Sequence, residues 1–168
     1  MSKQAEYKYN GLARVLHWGS AVAIVALFAL GSWMVELDYE HAWYEVFFYY
    51  HEGIGILAAI LIAFRLFWRL ITSQPKLCSK SAHMSMYGLC IAIFVSGYLI
   101  PTANGRSIVV FNWFLVSALG SFHHLQADIT GMLHFGLAAV LISLVSLHAI
   151  AACKHHFLDK NNTLKKML

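Results

Sequence analysis

The sequence predicts an all-α membrane protein, a bundle of four transmembrane helices with a short interfacial segment between the third and the fourth. Three observations predict this class. Of the 168 residues, 60% are hydrophobic and 12% are charged, and this charged fraction is about half of what a soluble domain carries. Four apolar runs are long enough to cross a bilayer, whereas a fifth is too short. Four crossings and their connections use up residues 1–168, which predicts one integral-membrane domain.

The four long runs predict helices over about residues 14–35, 46–71, 84–101 and 128–154. A crossing needs about 20 residues, and a single segment in lipid can satisfy its backbone hydrogen bonds only as a helix. Pro101 and the following TANGRS predict the end of the third helix, because proline cannot donate to the helical ladder and the next residues favour a turn.

The fifth run, IVVFNWFLVSAL, covers 108–119 and has only 12 residues. It is too short to cross the hydrocarbon core. We interpret it as an interfacial or re-entrant segment that places Phe111, Trp113 and Phe114 at the depth of the lipid headgroups.

The distribution of positive charge predicts the orientation. With four crossings, both termini and the connection between the second and third helices share one side of the membrane. That side has 11 of the 12 lysines and arginines, and the opposite side has only Arg106. Basic residues concentrate on the cytoplasmic side, so both termini are predicted to be cytoplasmic. The net charge of +4 therefore needs no nucleic-acid partner. The opposite side is acidic, with Glu36, Asp38, Glu40, Glu45, Glu52 and Asp128.

Four of the ten histidines fall within the predicted helices: His17, His51, His134 and His148. A single histidine in a membrane helix can simply be hydrogen-bonded inside the bundle. Four of them together are harder to explain in that way, because ionisable residues in the bilayer are costly and usually mark function.

The depths of these histidines place them in two pairs. His17 and His148 both lie near the cytoplasmic side, and His51 and His134 both lie near the outer side. On the fourth helix, the 14 residues between its two histidines correspond to about 21 Å of rise and about 320° of rotation, so both occupy nearly the same face. Two imidazoles facing each other from different helices are the ligand set of a six-coordinate b-type haem.

Other metal chemistry fits these pairs less well. Zinc requires a tetrahedral set, usually with a cysteine or carboxylate that neither pair supplies, and a proton relay requires carboxylates at mid-membrane. The cysteines Cys78, Cys90 and Cys153 are far apart, which predicts no disulfide framework and no Cys-x-x-Cys metal site. A Cys-x-x-Cys-His stretch is missing, which excludes a covalent c-type haem. The glycines next to the outer histidines, Gly53, Gly55, Gly131 and Gly136, leave room for a macrocycle or simply allow close helix packing.

Several stretches resemble the bacterial cytochrome b561 family, in particular its small stand-alone members, which include superoxide oxidase. They are LHW in the first helix, RLFWRL at the end of the second, the GR turn before FNWF, and HHFLDKNNTLKKM after two histidines 14 residues apart. The resemblance covers the chain from Tyr9 to Met167. It implies an inner-membrane protein with two non-covalent haem b groups, which His17, His51, His134 and His148 bind as axial ligands.

The resemblance also implies electron exchange with ubiquinone or another quinone and with a periplasmic donor or acceptor. In superoxide oxidase, superoxide gives up an electron on the periplasmic side and ubiquinone is reduced, which would make the chain a superoxide:ubiquinone oxidoreductase. Two alternatives stay open. One is a cytochrome b anchor subunit of a larger redox complex. The other is a small His-lined transporter, which the unbroken helices and the lack of core carboxylates disfavour.

Two further sets of residues are candidate functional residues. Arg106 is expected to lie over the outer haem and to act electrostatically on a propionate or an arriving anion, although the acidic outer surface disfavours steering of anions. Lys154, His155 and His156 follow His148 by about two turns and are candidates for a quinone site, because histidine can donate a proton near neutral pH. The same basic cluster can also serve only as a lipid anchor. His83, His123 and His124 are expected to be solvated.

Overall fold

The computed structural model describes residues 9–38, 40–72, 80–160 and 164–167. Its four long helices are α1 (Gly11–Glu36), α2 (Tyr44–Ile71), α3 (Lys80–Thr102) and α4 (Gln126–Phe157), and a 3₁₀ helix follows at Leu164–Lys166. All four are long and apolar enough to cross a membrane. The predicted class, a four-helix membrane bundle, is therefore confirmed.

Local sequence explains where several of these elements begin and end. The side chain of Asn10 accepts a hydrogen bond from the Ala13 backbone N–H at 2.8 Å, which caps the first turn of α1. Pro101 lies in the last turn of α3, and its carbonyl accepts hydrogen bonds from the N–H groups of Asn104 and Arg106. Gly105 adopts a φ of 69°, which glycine tolerates and which reverses the chain.

The segment predicted to be interfacial is a small β-hairpin. Strands β1 (Ile108–Val110) and β2 (Phe114–Val116) pair antiparallel, with Val110 opposite Phe114. Val110 is fully buried, whereas Trp113 at the turn is 73% exposed. The ring of Phe111 packs against Tyr49 and Tyr50 of α2. The hairpin therefore covers one end of the bundle.

The bundle has two ends, which we name by what they carry. The termini end has the start of α1 and the end of α4, and it corresponds to the predicted cytoplasmic side. The hairpin end has the β-hairpin and corresponds to the predicted outer side. α1 and α3 run from the termini end to the hairpin end, and α2 and α4 run back.

The helices pack mainly as two pairs, α1 with α2 and α3 with α4, and the pairs contact each other less closely. The buried core between them is small and consists of Ile62, Tyr87, Cys90, Ile93 and Leu141. Large apolar side chains are exposed on every helix, including Val22, Leu70, Ile91 and Met132. Such surfaces suit contact with lipid, where exposed apolar groups cost nothing.

Candidate functional site

The histidines at the hairpin end meet between the two helix pairs. His51 comes from α2 and His134 from α4, and their ring centroids are 6.0 Å apart with the ring planes at 78°. Both rings line a cavity of about 510 Å³ that is bounded by residues of all four helices. This volume lies in the range of cofactor and ligand pockets, about 300–1,000 Å³.

The ring nitrogens at this end are consistent with metal ligation. His134 Nδ1 lies 2.9 Å from the carbonyl oxygen of Ile93, so Nδ1–H donates to it and Nε2 keeps its lone pair. His51 Nδ1 is buried and has no hydrogen-bond partner among the described residues. A buried ring nitrogen without a partner is costly, which favours an additional group at this site.

Two glycines make room for these rings. A Cβ at Gly31 would lie 3.0 Å from His51 Cε1, and a Cβ at Gly97 would lie 2.8 Å from His134 Cε1. Both glycines also line the cavity. Any larger residue at Gly97 would force the His134 ring to move, so glycine is required there by close approach.

The glycines singled out from the sequence divide into two groups. Gly55 and Gly131 line the cavity, as expected for residues that leave space. Gly53 instead contacts the hairpin, because a Cβ there would lie 2.9 Å from Phe111 Cζ. Gly136 has no neighbouring atom that a Cβ would meet and is not in the cavity wall. Gly53 therefore fits the alternative of close packing, whereas Gly136 contributes neither to the cavity wall nor to a close contact.

At the termini end, His17 of α1 and His148 of α4 lie near each other, and His83 of α3 joins them. The ring centroids of His83 and His148 are 5.1 Å apart. His83 is half-buried, so the expectation that it is simply solvated was wrong. The start of α3 turns this side chain towards α4 rather than towards water.

An arginine from α2 contacts the same histidine group. Arg65 Nη2 lies 2.8 Å from His17 Nδ1, so the guanidinium donates to this ring nitrogen. The Arg65 guanidinium also lies 5.6 Å from the ring centroid of Tyr87. The side chain therefore lies next to His17 between the helices, whereas the sequence indicates for Arg65 only a contribution to the positive charge of this end.

A second cavity, of about 50 Å³, lies beside these residues. Its wall includes Arg65, Trp68 and His83. The Nε1–H of Trp68 is buried and has no hydrogen-bond partner among the described residues. Tyr9, which precedes α1, also lines the cavity; burial raises its pKa, and the nearby Arg69 partly opposes this increase.

Arg106 is paired with an acid from α2. Its guanidinium donates two hydrogen bonds to the carboxylate of Glu52, at 2.9 and 2.5 Å, and lies 4.7 Å from the ring centroid of Phe48. Glu52 follows His51 directly, and both line the larger cavity. Arg106 is therefore next to the outer histidine pair, but its charge is largely neutralised by a bidentate ion pair.

The quinone candidates Lys154, His155 and His156 occupy the last turn of α4. His155 Nδ1 lies 2.6 Å from the carboxylate of Asp159, and both side chains are exposed. The wall of neither cavity includes the three candidates. Among the described residues, no group of three or more His, Cys, Asp and Glu side chains is placed to hold a metal ion. Each proposed histidine pair supplies two imidazoles, which is the number of axial ligands that a six-coordinate haem takes.

Comparison with known proteins identifies the family of this chain. The family model described as prokaryotic cytochrome b561 matches residues 8–168. The chain belongs to the prokaryotic cytochrome b561 family. It is therefore a membrane b-type cytochrome that takes part in electron transfer, and b-type haem is its cofactor.

Two relatives of this cytochrome are similar over nearly their full lengths. Cytochrome b561 homolog 2 of Escherichia coli strain K12 is 41% identical over 171 residues, which cover 96% of this chain and 91% of the relative. A probable superoxide oxidase, CybB, of Yersinia pestis is 28% identical over 178 residues, with 96% of each chain covered.

Sequence reasoning missed Gly31, Gly97 and Arg65. Each of them lies at the depth of one of the four membrane histidines, on a helix next to it. The histidines were paired because they lie at the same depth in the membrane. The same comparison of depths, extended to small and basic residues, indicates these three positions.

Proposed function

We propose that this cytochrome holds two haem b groups and transfers electrons between the quinone pool and a periplasmic redox species. His51 and His134 would bind one haem at the hairpin end, and His17 and His148 would bind the other at the termini end. The observation that carries the proposal is the meeting of His51 and His134 across a cavity lined by all four helices. Each haem, when bound, supplies a one-electron redox centre.

The protein residues provide orientation and a dry environment at the hairpin end. The carbonyl of Ile93 fixes the tautomer of His134, which keeps Nε2 available as a ligand. Gly31 and Gly97 allow both imidazoles to approach the cavity. The wall is largely apolar, with Leu141 and Ile142 towards the middle of the bundle, which excludes water.

The two histidine pairs are separated along α4 by about 21 Å of helix rise. The pairs thus lie near opposite ends of the bundle, where one can serve the periplasm and the other the cytoplasmic half of the membrane. This arrangement fits a bacterial inner-membrane protein with both termini in the cytoplasm, which the excess of lysine and arginine at that end supports.

Quinone chemistry requires protons as well as electrons, and the end of α4 offers a source of them. The carboxylate of Asp159 accepts a hydrogen bond from His155 Nδ1–H, so that Nε2–H of the doubly protonated ring can donate its proton to a carbonyl oxygen of the quinone. Lys154 is exposed and half-buried His156 lies next to it, at the boundary with the cytoplasm. We propose that these three residues form part of a site for ubiquinone or another quinone.

Superoxide is a candidate periplasmic donor, because the 28% identical relative is named as a probable superoxide oxidase. The bidentate pairing of Arg106 with Glu52 leaves little free positive charge for an anion. A protein or dehydrogenase partner, with this chain as its cytochrome b anchor, is the second candidate. Purification in mild detergent distinguishes the two, because an anchor subunit retains its partner.

The optical spectrum of the purified protein tests the central proposal. Oxidised and dithionite-reduced spectra should show a low-spin b-type cytochrome, and the pyridine haemochrome should give two haems per chain. A chain that binds one haem, or none, contradicts the proposal. Reduction by a quinol and reoxidation by the matching quinone then test the link to the quinone pool.

A further inference from the structure

The contact between Arg65 and His17 has a consequence for ligation. Arg65 Nη2 donates to His17 Nδ1 at 2.8 Å, so this nitrogen is an acceptor. A neutral histidine that binds iron through Nε2 has its proton on Nδ1. A guanidinium has five N–H donors and no acceptor, so it cannot receive that proton. The contact and Nε2 ligation are mutually exclusive.

Arg65 must therefore find another partner when His17 acts as a ligand. The side chain is enclosed by α1, α2 and α3, where an unpaired guanidinium is costly. The small cavity next to it contains another donor, the buried Nε1–H of Trp68, which has no acceptor among the residues that the structure describes. Arg65 and Trp68 are three residues apart on α2, so both face the same side of the helix.

An anionic oxygen acceptor in this cavity would satisfy both donors. Arg69 and His83 also line the cavity, so the polar groups of an otherwise apolar wall include two guanidinium groups. The described wall has no carboxylate. Because guanidinium and carboxylate form paired hydrogen bonds, a carboxylate is the best match for this donor set.

We propose that Arg65 changes partners, leaving His17 Nδ1 and binding a carboxylate of the haem at the termini end, with Trp68 as the second donor. This inference rests on the proposed ligation by His17 and His148. Arg65 is then a positioning residue: when it binds the haem carboxylate, it leaves His17 Nδ1, which can carry the proton that ligation through Nε2 requires. Its positive charge also stabilises the reduced haem, because reduction removes a positive charge from the iron.

Potentiometric titration of the full-length holoprotein tests this role. Arg65→Gln should shift one of the two midpoint potentials downward and leave the other unchanged. Arg65→Lys keeps the positive charge, so both potentials should stay close to those of the wild type. Lys160→Gln is the matched charge control, because this lysine is exposed near the same end of the bundle. Two unchanged potentials in Arg65→Gln, with two haems bound, would overturn the proposal.

A second experiment addresses the carboxylate directly. Full-length protein produced without haem is loaded in detergent with haem b or with its dimethyl ester, whose carboxylates are blocked. The wild type should bind the ester at the termini end at least tenfold more weakly than haem b, and Arg65→Gln should bind both alike. Equal binding of the two compounds by the wild type would show that Arg65 serves a different anion, such as a lipid phosphate.

A variant that leaves the charge unchanged separates a specific effect on the haem from a folding defect of the Arg65 variants. Trp68→Phe removes the unpaired N–H and keeps the aromatic ring, and it should accelerate loss of one haem several-fold. If both Arg65 variants lose a haem and Trp68→Phe behaves as the wild type, Arg65 is only structural and the proposal is wrong. A wild-type protein with fewer than two haems contradicts the proposed function instead, so the two failures are distinguishable.

Discussion

Gly97 of α3 and His134 of α4 lie in direct contact, so closely that a methyl group at Gly97 would be 2.8 Å from the imidazole carbon Cε1. The same edge of the ring donates through Nδ1–H to the Ile93 carbonyl, one turn earlier on α3, so the ring cannot move away from Gly97 without weakening that hydrogen bond. Overpacking of this kind costs about 1–3 kcal/mol. Gly97→Ala should therefore weaken haem binding at the hairpin end by about five- to 150-fold, since 1.4 kcal/mol corresponds to a factor of ten.

Haem content per chain after purification measures this effect. Gly88→Ala is the matched control, because it makes the same substitution in the same helix and a Cβ there meets no atom within 4 Å. If Gly97→Ala retains its full haem content and an unchanged spectrum, the His134 ring does not need its present position.

The ligand assignment predicts independent loss of the two haems. His17→Ala should remove the haem at the termini end and His51→Ala the one at the hairpin end, each with much of the other retained. His123→Ala should keep both, because that side chain is exposed outside the helices. The pyridine haemochrome and the reduced spectrum count the haems. A His17→Ala protein with both haems and unchanged spectra would show that the pairing is wrong.

Because Arg106 and Glu52 form an ion pair, substitutions of the two residues should change the midpoint potential of the haem at the hairpin end in opposite directions. Arg106→Glu should lower its midpoint potential or slow its reduction by an anionic donor. Glu52→Gln should act in the other direction, because it leaves the Arg106 charge uncompensated next to His51. Potentiometry and stopped-flow reduction at several ionic strengths measure both effects. Unchanged potentials and unchanged salt dependence in both variants would exclude an electrostatic role.

The quinone site predicts a kinetic defect without loss of haem. His155→Ala and His156→Ala should slow electron exchange between haem and quinone several-fold while both haems stay bound, because a proton donor is removed. Stopped-flow reduction by a soluble quinol measures the rate. If the cluster is only a lipid anchor, insertion or yield should fall, and correctly inserted protein should react as the wild type. In that case the quinone site lies elsewhere, for example near the hairpin residues Phe111 to Phe114.

The charge asymmetry predicts the topology. A reporter that is active only in the cytoplasm should work when it is fused to the C-terminus, and a reporter that is active only in the periplasm should not. Fusions just before the β-hairpin, after Ser107, should give the opposite result. Agreement would place Arg106 and Glu52 in the periplasmic half of the protein. A periplasmic C-terminus would invert every assignment of side made above.

The sequence predicted the helices well, because the need to satisfy backbone hydrogen bonds in lipid leaves few choices for a long apolar run. The depth of each histidine followed from the helix directions, and the meeting of His51 with His134 is the clearest result of that reasoning. Lys3, Lys8, Lys76 and Cys78 lie outside the described residues, and so do the predictions that concern them.

Other features depend on contacts that no periodicity encodes. The segment at 108–119 was too short to cross, but its composition did not specify a hairpin, because strand pairing at Val110 and Phe114 depends on packing against α2. The approach of Gly97 to His134 and of Arg65 to His17 likewise results from how the two helix pairs are placed. Depth along each helix was predictable, whereas rotation about the helix axis was not.

The loose contact between the α1–α2 pair and the α3–α4 pair has a consequence for biogenesis. Each pair consists of two helices that are consecutive in the sequence and packed against each other. The proposed ligands of each haem come from both pairs: His17 and His51 belong to the α1–α2 pair, and His148 and His134 to the α3–α4 pair. Metal ligation then contributes to the free energy of assembly. Haem supply would thus set how much of the newly made chain becomes resistant to membrane proteases.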